Sequence, residues 1–138
     1  MSDGRTAHQR LRHRWMRDQE LEHLILFVCD GQPDKLLGKL TDGRMFHAWL
    51  SVAGAFWDEI GEEEYALVRG DYDECGCEPV LLDLQHGLSG KVIRRVWAWG
   101  HMYALRIEIE FDHGAVRLET RDKTEAECEF GSSRSDIA

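Results

Sequence analysis

The chain has 138 residues, a hydrophobic fraction of 43%, only two prolines and a net charge of −9. That is the size of one domain, able to bury about two-thirds of its unfolded surface without a disulfide or a metal, and the composition excludes a disordered chain. The opening MSDGRTAHQR has no apolar stretch and the longest apolar run is LILFVC, which predicts neither a signal peptide nor a membrane span and points to the cytoplasm, where thiols stay reduced.

In chain order, AHQRLRHRWMR and LEHLILFVC are both compatible with helix, with a break near Asp18 because their apolar stripes do not align; LILFVC is equally compatible with a buried strand. Pro33 before KLLGKL predicts a short helix. The spacing of Phe46, Trp49, Leu50, Ala53, Phe56, Trp57 and Ile60 predicts a helix over 44–60, capped by Thr41 or Asp42 and ended by Gly61. EEEYALVRG predicts a further helix with Gly70 as its stop. The pattern then changes period. EPVLLDLQ and KVIRRVWAWG read as strands. ALRIEIEFDHGAVRLETRD alternates apolar and charged residues on both sides of Asp112-His113-Gly114, which predicts a hairpin, and AECEF flanks it. Trp97 and Trp99 share an expected core face with Ile93. Arg94, Arg95, Arg106 and Arg117 face Glu108, Glu110 and Glu119 across a solvated sheet face.

The expected fold is therefore α+β: N-terminal helices packed on a C-terminal four- or five-stranded antiparallel β-meander. One domain spans 1–138, with a helical half over about 6–69, a meander over about 79–130 and a frayed tail over 131–138.

Charge is the most uneven feature. Residues 1–18 hold five arginines against two aspartates, whereas 58–78 hold nine acids against Arg69. Such a field repels nucleic acid and anionic membrane and attracts basic surfaces. It makes Asp58, Glu59, Glu62, Glu63, Glu64, Asp71, Asp73 and Glu74 the candidate partner-binding residues. The competing explanation is a solvated face that maintains solubility. The arginine segment is expected to pack near those acids within the chain, or across a homodimer.

No phosphate-binding loop, nucleophile elbow, H-E-x-x-H or G-x-G-x-x-G occurs. GLSGK reads as a turn. Cys75 and Cys77, one residue apart in DYDECGCE, can supply two zinc ligands and His86 a third, with His101 and His113 at neighbouring turns. The surrounding carboxylates disfavour a thiolate, so redox catalysis ranks below zinc. Cys29 and Cys128 read as small core residues. For an enzyme with a pocket between helices and sheet, His101, Asp112 and His113 are the residues to test.

The stretch FDHGAVRLE (111–119) resembles the C-terminal meanders of small bacterial proteins, immunity proteins that neutralise toxins among them. The resemblance implies a binding module and transfers no site residue. The sequence thus predicts a non-enzymatic acidic protein-binding module, of inhibitor or immunity type, engaging a basic partner such as a toxin or a nucleic-acid enzyme. A zinc- or thiol-dependent protein is the alternative.

Overall fold

Alternation governs the first half of the chain as well as the second. The computed structural model describes residues 16–51, 54–101, 104–120 and 126–131, with the backbone alone at 99–101 and 104. Among these residues nine strands form two antiparallel sheets. The first has the order β4-β3-β2-β1-β5, from β1 (Leu21–Cys29), β2 (Gln32–Leu40), β3 (Met45–Ser51), β4 (Gly54–Ile60) and β5 (Glu78–Leu81). The second has the order β6-β7-β8-β9, from β6 (Arg95–His101), β7 (Ala104–Phe111), β8 (Gly114–Thr120) and β9 (Ala126–Gly131). A single helix longer than one turn is described, α1 (Glu62–Glu74), and α2 (Leu82–Gln85) is one turn. Among the described residues the protein is mostly β, and the expected arrangement of N-terminal helices on a C-terminal meander is not found.

Three local features explain the correction. Asp30 and Gly31 both have positive φ, 53° and 78°, and Cys29 pairs with Gln32 across them. A two-residue turn of that hand matches the twist of the strands it joins, so LEHLILFVC and QPDKLLGKL fold back as a hairpin. Pro33, lacking an N–H, sits in β2 beside the register shift at Phe27/Val28. The expected helix over 44–60 is the β3–β4 hairpin, with Met45 opposite Ile60 and Leu50 opposite Ala55. Finally, a Cβ at Gly38 would run into the Phe46 ring, its partner across the strand pair, so glycine there lets the aromatic ring cover the backbone. The AHQRLRHRWMR helix lies outside the described residues except for Met16 and Arg17.

The later strands agree with the sequence pattern. The hairpin of β7 and β8 turns at Asp112-His113, and β9 extends the sheet. EPVLLDLQ is a strand only over Glu78–Leu81 before it turns into α2, and β6 starts at Arg95. One core joins the two sheets: Leu24, Leu26, Leu36, Phe46, Ala48 and Trp57 from the first meet Ile107, Ile109, Val116 and Leu118 from the second. Trp57 stacks on Phe46.

Part of the outer face of the first sheet is apolar too. Ile25, Phe27, Leu37 and Ile60 form a second cluster against Tyr65, Val68 and Tyr72 of α1, and Phe27 stacks on Tyr72. The helix thus crosses the back of the sheet on its way from β4 at one edge to β5 at the other.

On the second sheet the arginine–glutamate pairs form as expected, but the face is not solvated. Glu108, Glu110 and Arg117 are 3%, 7% and 4% exposed. Ile93 is core, whereas Trp97 pairs with Glu108 on the charged face and lies under the Arg95 guanidinium; the irregular residues between Ile93 and Arg95 remove the common strand face assumed for the two.

Candidate functional site

The candidate acids are carried by α1 and the strand before it. Asp58 and Glu59 belong to β4, and Glu62, Glu63, Glu64, Asp71, Asp73 and Glu74 belong to α1; all eight are exposed. The helix starts at Gly61 with no side-chain cap, so the three first-turn glutamates answer its unpaired amides through the dipole. Gly70 does not stop it. It ends in DECGC: the Gly76 N–H donates to the Asp73 carbonyl and the Cys77 N–H to the Tyr72 carbonyl, with Gly76 at φ 72°. Those two bonds are a Schellman cap, in which only a left-handed residue fits the turn.

No residue of α1 is fully buried. Tyr65, Val68 and Tyr72 face the sheet, and helical geometry places Glu63, Leu67, Gly70 and Glu74 along the opposite crest. Leu67 is 65% exposed. Glu64 and Asp71 lie on the flank whose charge is felt by Lys35. None of the six α1 carboxylates forms an ion pair among the described residues. The helix carries Arg69 as its one cation and none in its last turn.

The two cysteines of the C-x-C part company. Cys77 forms a disulfide with Cys29, at the end of β1, whereas Cys75 is an exposed thiol. Cys29 is therefore a tether between β1 and the end of α1 and not a small core residue. Cys128 packs against the core, and burial pushes its thiol up to about 12. His86 stacks on Phe130, and His113 meets the same ring. Among the described residues no three His, Cys, Asp or Glu side chains converge as a metal would require. Asp112 is held by two hydrogen bonds from Arg94, 2.6 and 2.9 Å, which keep its carboxyl below the usual range.

Two further features escaped the sequence pattern. A cavity of about 170 Å³ opens beside β9, lined by Leu26, Val80, Leu82, Val116, Cys128 and Phe130, with Gln85, His86 and Glu129 also in its wall. It is smaller than the sites that hold drug-sized molecules. The second is a polar cluster on the outer face of the first sheet. Lys35 Nζ stands 3.1 Å from His47 Nδ1 and 4.6 Å from the centre of the Trp49 ring. His47 Nε2 is 4.0 Å from Asp58 Oδ2, and Trp49 stacks on Phe56. His47 is 7% exposed. Burial lowers the affinity of the Lys35 amine for its proton despite Asp34, Glu64, Asp58 and Asp71 nearby, and burial with Lys35 beside it does the same to His47. Lys35, His47 and Trp49 stand on adjacent strands, so only the strand register could have brought them together on paper.

Set against known proteins, the chain matches no family model, no curated protein and no solved structure. The functional reading rests on the geometry alone.

Proposed function

We propose that the protein is a non-enzymatic, acidic protein-binding module of the inhibitor or immunity type, and that it engages a basic surface of its partner through α1. One observation carries the reading: six carboxylates stand on the exposed sides of a single helix, and none of them forms an ion pair among the described residues. Three of them, Asp71, Asp73 and Glu74, lie at the end where the helix dipole disfavours negative charge. Acids placed for stability alone belong at the other end. Leu67, exposed on the crest between Glu63 and Glu74, supplies an apolar contact inside the charged field. Charge of this kind speeds association and selects partners.

The Cys29–Cys77 disulfide supports the same use of the helix, because it ties the end of α1 to the sheet and so presents its acids on a fixed support. Disulfides persist in oxidising surroundings, so the bond favours an oxidising compartment over the cytoplasm as the place of work.

The test is capture from native extract, identification of the retained protein, and titration of that purified partner. Glu62→Lys, Glu63→Lys and Glu64→Lys together should weaken binding at least about tenfold, and wild-type affinity should fall steeply with added salt. Affinity for the partner that ignores both the reversals and the salt refutes the proposal.

A further inference from the structure

The cluster at Lys35 points to chemistry independent of partner binding. A lysine ammonium has only N–H donors, so at 3.1 Å the His47 Nδ1 accepts and the ring proton sits on Nε2, the nitrogen 4.0 Å from Asp58. The sequence of groups is carboxylate, imidazole, amine. It has the logic of an activated nucleophile: a base within hydrogen-bond reach of the amine, with a carboxylate facing the base's other nitrogen. The amine lies over Trp49, and Trp49 with Phe56 offers a stacked aromatic surface beside it.

We propose that Lys35 is an amine nucleophile that condenses reversibly with a small, uncharged aromatic aldehyde, that Trp49 holds the aldehyde ring, and that His47 carries the proton. An anionic ligand is disfavoured, because the amine stands in the field of Asp34, Asp58, Glu64 and Asp71. The Lys35 ammonium gives a proton to His47 Nδ1. The Nζ lone pair attacks the carbonyl carbon, the C=O π pair moves to oxygen, and a proton passes from nitrogen to that oxygen. The imidazolium, faced by Asp58, returns its proton to the hydroxyl, the C–O bond breaks, and water leaves as the nitrogen lone pair closes the C=N bond. Ammonium and aldehyde become protonated imine and water, with charge and protons conserved and no outside reductant or oxidant.

The chain provides its own controls, since its lysines are Lys35, Lys39, Lys91 and Lys123. The full-length protein is incubated with benzaldehyde and cyanoborohydride, and the benzylated lysines are quantified by peptide mapping over time. Lys35 should be labelled at least about tenfold faster than Lys39 near pH 7.5. Its rate should rise with pH at lower pH than that of an ordinary lysine amine, because burial depresses its proton affinity in spite of the four carboxylates. His47→Gln should bring Lys35 down to the rate of Lys39 and leave Lys39 unchanged. Trp49→Leu should raise the aldehyde concentration needed for half-maximal rate. Labelling of Lys35 at or below the rate of Lys39 in the wild type overturns the proposal. That result is decisive whether or not the His47 variant folds.

Discussion

The two sheets carry carboxylates on their outer sides in opposite ways. On the second sheet they are paired across strands: Glu110 with Arg95, Glu119 with Arg106, and Glu108 and Glu129 with Arg117. Several of these groups are almost wholly buried. On the first sheet α1 covers an apolar part of the face, and the carboxylates are lifted onto the helix, where they are exposed and form no ion pair among the described residues. The same residue type therefore does two jobs. Paired and buried, a carboxylate is part of the fold, and its loss is felt in stability. Unpaired and exposed, it adds little to stability and is free to act on something else.

The comparison breaks first at Arg117. It is 4% exposed, with Glu108 Oε1 3.2 Å from its Nε and Glu129 Oε1 3.1 Å from its Nη1. Arg117→Met leaves Glu108, 3% exposed, as a buried charge, and should cost about 3–5 kcal/mol in denaturant unfolding. Adding Glu108→Leu removes the stranded charge and should recover most of that loss. If the double variant is as unstable as the single, the pair is not what the site depends on.

Next comes the tether. The Cys29–Cys77 bond closes a separation of 48 residues, and its removal by Cys29→Ser with Cys77→Ser should cost about 2–4 kcal/mol. Because the other described contacts of α1 come from one side of the helix, the loss should appear first as faster amide exchange over Glu62–Glu74, ahead of the second sheet. A thiol reagent should find Cys75 first in the native wild type and Cys128 much more slowly, since the Cys75 thiol is exposed and the Cys128 thiol is partly buried and pushed up to about 12. Uniform exchange across both sheets in the double variant would show that the bond does not act on the helix in particular.

How much of this could be read from the sequence follows the same division. The second sheet was legible because one side of each strand is apolar and the other charged, so β7 and β8 alternate visibly. The first sheet was not, because α1 buries its outer face as well. In β3 and β4 the inward set Phe46, Ala48, Ala55 and Trp57 is interleaved with the outward set Met45, Trp49, Phe56 and Ile60. Two such strands with a turn between them imitate the three- and four-residue spacing of a helix. The signal that would have corrected the reading was local: Asp30-Gly31 between two apolar runs is a hairpin turn, and it fixes β1 and β2. The acidic surface was legible as composition, but the lack of ion pairs to the α1 acids among the described residues was not. The Lys35–His47–Asp58 cluster was invisible, since it is created by register alone. The C-x-C stretch was seen, and its meaning changed: its glycine is a helix cap, one thiol is a tether and the other is exposed.

The smallest expected effect is the sharpest discriminator. If the α1 acids served the fold, neutralising any of them would lower stability. The dipole predicts opposite signs at the two ends. Glu62→Gln with Glu63→Gln removes charge from the end that favours it and should lower stability by about 0.3–1 kcal/mol per charge, less at high salt. Asp73→Asn with Glu74→Gln removes charge from the end that disfavours it and should raise stability by a similar amount, about 0.3–1 kcal/mol per charge. Partner affinity should instead fall in both pairs, because a basic surface responds to the carboxylates and not to their place on the dipole. Unfolding in denaturant and partner titration on the same two double variants give the answer. Stability changes of opposite sign with affinity changes of one sign place these acids outside the fold and in the interface. Affinity that merely follows stability would return them to the same role as the buried carboxylates of the second sheet.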